Sequence, residues 1–220
     1  MEEINNLQDV LYINKKEIKY KLKLLDINDI NFYRNNPRID SILSDYSGEI
    51  TDEKIDQILW NRNKTHILHK RIEKDGGLIH PILVYKKEAL EGNTRLCCYR
   101  HLYESSNGNN RWQHIRCNVI LDELTQNEIY RLLCTEHIEG KIEWEAYEKA
   151  NLCYKMKNDQ GLNLEEISDL VGESITTILS RIKAFELMHK NEVKDKEKYS
   201  HFEQLARNLK IRSIQKKDPQ

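Results

Sequence analysis

The feature that most constrains this chain is a change of period near residue 122. Before it, short runs with strand character mix with helical segments. Tyr20-Lys21-Leu22-Lys23-Leu24 alternates apolar and charged residues as a half-buried strand does. Pro81-Ile82-Leu83-Val84-Tyr85 is a continuous apolar run of strand length, as a buried strand requires, and Ile115-Arg116-Cys117-Asn118-Val119-Ile120 alternates again. Thr51-Asp52-Glu53-Lys54 reads as a helix start, with Thr51 as N-cap ahead of Ile55, Ile58 and Leu59, and Gly76-Gly77 breaks the chain before the second strand. After Asp122 only helical spacing survives, to about Leu209. The expected organisation is an α/β domain at 1–121, an all-helical domain at 122–190 and a basic helical tail at 191–220.

Composition excludes several classes. No apolar run reaches the roughly 18–20 residues that span a bilayer, and the acidic start Met1-Glu2-Glu3-Ile4-Asn5-Asn6 is no secretory leader. Cys97, Cys98, Cys117, Cys134 and Cys153 form an odd set without a CxxC pair, which fits neither a disulfide framework nor a zinc finger. They read as small buried thiols of a cytoplasmic protein with no membrane partner. With 8 Gly and 3 Pro, long structured segments joined by short loops are expected.

The 35 basic and 36 acidic residues almost cancel, which taken alone argues against a nucleic-acid partner. The distribution says more. Residues 101–150 hold 5 basic and 9 acidic residues, 51–100 hold 10 and 7, and 201–220 hold 5 and 2. Any grip on DNA should be modest, salt-sensitive and dependent on ligand or assembly.

The most informative stretch is Leu90-Glu91-Gly92-Asn93-Thr94-Arg95, continuing into Leu96, Tyr99 and Leu102 at helical spacing. A strand-like segment turns at Gly92 and enters a helix. The unpaired N–H groups and positive dipole end of such a helix suit an anion, and Arg95 stands where a guanidinium can close on a phosphate. On this motif alone, a plain helix start with a solvated arginine is the better account.

Around the loop lie Asn36-Pro37-Arg38-Ile39, the strand Gly77-Leu78-Ile79-His80-Pro81-Ile82-Leu83-Val84, and then Thr135-Glu136-His137-Ile138-Glu139. An "NPR" box, a "Gly-Leu-x-x-Pro-Ile-x-Val" strand, a "Gly-x-x-Arg" loop and an acidic "Glu-x-Ile" helix, in that order, resemble the N-terminal domain of ParB-like partition proteins, of the ParB/sulfiredoxin superfamily. The resemblance covers about residues 20–190. It implies a nucleotide pocket for CTP or another nucleoside triphosphate, with magnesium. Carried over by position, Arg38, Gly77, Ile79, Gly92, Asn93, Thr94, Arg95, Glu136 and His137 are the nucleotide-binding residues, and Glu136 is the metal ligand.

The departures shape the expectation. Where the family's phosphate loop has a glutamate linked to hydrolysis, this chain has Asn93, and an amide cannot act as a general base. Thr94 replaces an arginine, His137 a metal-holding asparagine, and Glu139-Gly140 a Gln-Arg pair. Binding with at most weak triphosphatase activity is expected. The enzyme alternative is a nucleotide-dependent phosphotransferase or nuclease, because Glu91-Gly92-Asn93-Thr94-Arg95 also looks like the "Asp-Gly-His-Thr-Arg" loop of serine-phosphorylating relatives. Sulfiredoxin chemistry needs a cysteine just before the loop arginine, where this chain has Asn93-Thr94.

Leu162 through Ile182 has the form of a helix-turn-helix at about 162–185. Ile167 and Leu170 face inward, Gly172 permits the turn, Ser174 caps the second helix, and Ile178 and Ile182 pack it back. Ser174, Ile175, Thr176, Thr177, Ser180 and Arg181 are then the residues expected to meet double-stranded DNA. Trp144, Tyr147 and Ala150 read as core. Lys210 through Lys217 has the cations to neutralise a few phosphates. No third, dimerising domain like that of full-length partition proteins is legible before Gln220, so either the chain is a fragment or it assembles differently; a homodimer is expected. A ParB-like DNA-binding protein gated by nucleotide, in plasmid partition or transcription regulation, is the reading carried forward.

Overall fold

A computed structural model describes residues 8–13, 15–36, 39–40, 43, 46, 48–138 and 145–208, without the side chains of 136–138. In chain order the strands are β1 (Gln8–Ile13), β2 (Lys16–Asp26), β3 (Asn31–Phe32), β4 (Ile82–Tyr85), β5 (Glu88–Glu91) and β6 (His114–Ile120). The helices are α1 (Asp52–Trp60), α2 (Asn63–Asp75), α3 (Asn93–Ser105), α4 (Asn110–Gln113), α5 (Gln126–Ile138), α6 (Ala146–Asn158), α7 (Leu164–Val171), α8 (Ile175–Lys190) and α9 (Tyr199–Arg207). Two compact units emerge: residues 1–36 with 48–133, and 37–47 with 134–220. The strand signal ends where β6 ends, whereas the division between units falls inside α5.

The first unit is a mixed six-stranded sheet in the order β1-β2-β6-β4-β5-β3. β4 pairs parallel with β6 and antiparallel with β5, and β3 pairs parallel with β5. All four residues of β4 are buried, as an interior strand covered on both faces demands. The turn from β4 to β5 places Lys86 and Lys87 at φ 46° and 67°, the paired positive angles that close a two-residue hairpin.

β2 corrects the sequence reading in one respect. It is a strand, but the leucines that mark its alternation stand outward, Leu22 at 37% and Leu24 at 66% exposure. The buried residue of β2 is Ile18, nearer its start, while Leu25, opposite the buried Ile115 of β6, is half-buried. Thr51 caps α1 as expected, its Oγ1 accepting from the Lys54 N–H at 3.3 Å. Gly76 ends α2 in the left-handed conformation, at φ 72°.

Within the second unit, Tyr147, Ala150, Phe185, Met188, Tyr199 and Ala206 form one core drawn from α6, α8 and α9. Asp40 joins it by accepting from Asn151 Nδ2 at 2.7 Å and Lys155 Nζ at 2.6 Å. Trp144 and residues 209–220, including the basic stretch 210–217, lie outside the described residues. Among the described residues no helix is long and apolar enough to cross a membrane.

Candidate functional site

The loop between β5 and α3 forms around a glycine needed for two reasons. Gly92 has φ 98°, in the region where a side chain costs about 1–2 kcal/mol. A Cβ there would also lie 2.4 Å from Ile82 Cγ2. Ile82 is fully buried in β4, so the helix start is pressed onto the central strand. No side chain caps α3 at Gly92, and the first-turn N–H groups face the loop with the positive end of the helix dipole.

Asn93 turns inward. It is 5% exposed, and its Oδ1 accepts from the Tyr33 N–H at 3.1 Å. Its Nδ2 is buried without a hydrogen-bond partner. Nearby, Asn36 of the "NPR" box donates from Nδ2 to the Leu90 carbonyl at 3.1 Å, so two amides pin the segment after β3 to the strand-to-helix turn. Thr94 is half-buried. The Arg95 guanidinium, 19% exposed, pairs with Glu91, also 19% exposed. Arg95 also donates to the carbonyls of His80 and Pro81 at 2.9 and 3.0 Å. The arginine thereby ties β4's approach to the loop, and a carboxylate occupies the side of it that an anion would take.

Gly77 and Ile79 lie in the turn before β4, with Ile79 68% exposed beside His80. The structure therefore brings Gly92, Asn93, Thr94 and Arg95 together with the turn that carries Ile79. Arg38 lies outside the described residues, as do the side chains of Glu136 and His137, whose backbone belongs to α5. Sequence reasoning missed Glu91's engagement with Arg95, although the spacing of four residues signals it.

In the second unit, α7 and α8 are joined at Gly172, which has φ 72° and open space around its Cα. Ser174 caps α8, accepting from the Thr177 N–H at 3.2 Å. Ser174, Ile175 and Thr176 are exposed, and Thr177 is half-buried. Ser180 and Arg181 are placed differently from the sequence expectation of a DNA-facing side. Ser180 is 2% exposed and donates to the Thr176 carbonyl at 2.8 Å. Arg181 is 11% exposed and bonds Glu173 Oε1 at 2.8 Å, with Nε and one terminal nitrogen buried and unpartnered. A helix turns every 3.6 residues, so Arg181, three residues after the buried Ile178, lies toward that buried side, whereas Ser180, four residues after Thr176, stands on the same side as Thr176 one turn further along, where it is buried.

All five cysteines are free and buried. Burial pushes the thiols of Cys98, Cys117 and Cys153 up to about 12, and that of Cys97 higher still, with Asp56 adding to its rise. A reactive cysteine needs its thiol lowered toward neutrality instead.

No family model matches the chain, and no curated protein sequence does. Solved structures do. A Pnob8-like ParB-N domain matches with a TM-score of 0.54 and 12% identity, over 90% of this chain and 84% of that one. C-terminally truncated chromosome-partitioning ParB from Caulobacter crescentus matches in its complex with the centromeric parS site, at 0.47 and 13%, over 89% and 90%. The same protein complexed with CTP-gamma-S matches at 0.34 and 11%, over 89% and 97%. The chain thus has the mixed α/β fold of ParB N-terminal domains.

Proposed function

We propose that this chain is a ParB-like DNA-binding protein whose first unit binds a nucleoside triphosphate, CTP or another, at the loop Gly92–Arg95. One observation carries the reading. An uncapped helix start, a glycine pressed onto the central strand, an unpartnered buried amide on Asn93 and a guanidinium held by Glu91 converge on four consecutive residues. Two of those features are donors lacking an acceptor, and the third, Arg95, holds a carboxylate that a phosphate resembles in charge and geometry. The β- or γ-phosphate would compete with Glu91 for Arg95, with the base toward the turn bearing Ile79.

Magnesium would arrive with the triphosphate and supply charge neutralisation. Glu136, the ligand given by the resemblance, has an undescribed side chain, and the carboxylate described within the loop, Glu91, is committed to Arg95; no step is routed through the ion. Residue 93 is an amide whose oxygen accepts from Tyr33, so it offers no base for hydrolysis. Binding is favoured over turnover, and the phosphotransferase or nuclease reading gains no support.

The exposed first turn of α8, with Ser174, Ile175 and Thr176, is the proposed DNA-facing element. The proposed gating is that nucleotide and duplex DNA, or a second copy of the chain, favour the same state of the protein; each then alters the other's affinity by the same factor. Calorimetry with CTP, ATP and GTP in magnesium tests the pocket, and anisotropy of a labelled duplex with and without the bound nucleotide tests the coupling. The pocket is refuted if no triphosphate binds at millimolar concentration. Equal duplex affinity in both states refutes the gating.

A further inference from the structure

Away from the loop, α1 and α3 assemble a second cluster of chemistry. Cys97 and His101 are four residues apart on α3, hence on one helix face, and α1 sets Asp56 against them. One ligand atom from each of the three lies within 4.8 Å of the other two. His101 Nε2 is 2.7 Å from Asp56 Oδ2, and Cys97 Sγ donates to the Asp56 carbonyl oxygen at 3.7 Å.

The hydrogen bonds of this cluster do not close. Asp56 Oδ1 is buried with no donor, and His69 Nε2 on α2 is buried with no partner. Buried polar atoms are nearly always paired, so a bare carboxylate oxygen beside an imidazole and a thiol calls for a group the chain's own donors do not provide. Beyond the ring, His101 Nδ1 stands 4.0 Å from Glu104 Oε2, where an outer carboxylate orients a metal-bound imidazole. Trp60 stacks on His101 with centroids 3.8 Å apart and planes 5° from parallel, which fixes the ring's attitude. His101 and Asp56 retain 22% and 18% side-chain exposure while Cys97 is fully buried, so the cluster has one side open to solvent.

We propose that Asp56, Cys97 and His101 form a binding site for a divalent transition-metal ion of the zinc type, clipping α1 to α3. The donor set is one carboxylate, one thiolate and one imidazole, which suits zinc and excludes the all-oxygen preference of magnesium or calcium. Two anionic ligands make the complex with a dication neutral, as a half-buried site favours. A fourth, solvent-facing position is left for water. Tetrahedral zinc at bond lengths of about 2.0–2.3 Å separates its ligands by roughly 3.3–3.7 Å, so the Asp56–His101 pair opens by less than about 1 Å. As the metal–sulfur bond forms, the Cys97 thiol proton leaves to solvent. The inference does not rest on the nucleotide reading.

Cobalt(II) titration of the untagged full chain, with a thiol-free phosphine reductant, tests it. The expected result is a saturable thiolate-to-cobalt charge-transfer band with tetrahedral d–d bands, proton release on binding, and displacement of cobalt by zinc. Cys97→Ser removes the charge-transfer band, His101→Gln and Asp56→Asn each weaken cobalt binding tenfold or more, and Cys98→Ser leaves the spectrum intact. Circular dichroism confirms that each variant is folded. If Cys97→Ser does not fold, His101→Gln decides: zinc should raise the melting temperature of the parent chain and leave that of His101→Gln unmoved. No charge-transfer band in the parent, a band that survives in Cys97→Ser, or equal cobalt affinity in the folded His101→Gln protein overturns the site.

Discussion

Two turns in this molecule share one grammar and differ in purpose. In the first unit, Gly92 leads into α3, and Arg95 pairs with Glu91 beside it. In the second, Gly172 leads toward α8, and Arg181 pairs with Glu173. Both glycines sit in the left-handed region, yet Gly92 presses against Ile82 while nothing stands within 4 Å of the Cβ position at Gly172. Arg95 spends its donors on two carbonyls and a carboxylate at a half-open loop. Arg181 lies among the packed residues of its unit with two nitrogens unpartnered. One arrangement holds a guanidinium where an incoming anion can take it. The other uses a guanidinium as an internal strut.

The largest expected effect separates the glycines. Gly92→Ala adds the left-handed strain and an overlap with a fully buried isoleucine, and should cost about 3 kcal/mol of stability in urea unfolding. Gly172→Ala meets only the strain and should cost about 1–2 kcal/mol. Equal costs would break the comparison.

Next come the arginines. Arg181→Ala strands Glu173, itself 26% exposed, and should lose about 2–3 kcal/mol of stability, toward the low end for a pair that keeps some solvent. Duplex affinity of the folded variant should stay that of the parent. A large loss of affinity at unchanged stability would return Arg181 to the DNA-facing set. Arg95→Ala should show the reverse pattern, with nucleotide affinity about tenfold weaker, ~1.4 kcal/mol, and a smaller change in unfolding. Nucleotide binding as tight as the parent's by calorimetry would remove the loop from the pocket.

The smallest expected effect sharpens the second turn. Ser174→Ala removes the N-cap of α8 and should cost about 1 kcal/mol. Thr176→Ala, exposed and joined to the cap by a 2.9 Å hydroxyl–hydroxyl bond to Ser174, should lower duplex affinity modestly and cost less stability than Ser174→Ala. As a check on the separate interiors of the two units, a disulfide exchange reagent should find no reactive thiol in the native chain and five after denaturation, since every cysteine is buried.

Much of the architecture was legible before any coordinates. The apolar run at 82–85, the alternation at 115–120, the Thr51 cap and the glycines at 76, 92 and 172 all stand where local chemistry put them. These signals are local: a continuous apolar run, a capping hydroxyl and a positive φ are each decided within a few residues. β1 escaped notice because its apolar residues, Val10 to Ile13, run consecutively without alternation, and as an edge strand it leaves Val10 and Tyr12 exposed. β3, two residues long, exists only through its pairing with β5.

The sites divide along the same line. The order of the "NPR", strand, Gly-x-x-Arg and acidic segments pointed to a ParB-like fold, and the Gly-x-x-Arg spacing to a strand-to-helix turn at residues 92–95. That Asn93 turns its oxygen to Tyr33, that Glu91 holds Arg95, that Arg181 faces Glu173, and that Asp56 meets Cys97 and His101 are facts of packing. Each joins residues from separate elements, or chooses one face of a helix over another. Sequence by itself determined the strands, helix starts and turns whose signals are local, though not β1 or β3. Only the tertiary structure decided which polar groups satisfy one another, and hence which are left wanting a ligand, because desolvation acts on the assembled surface and not on the chain that forms it.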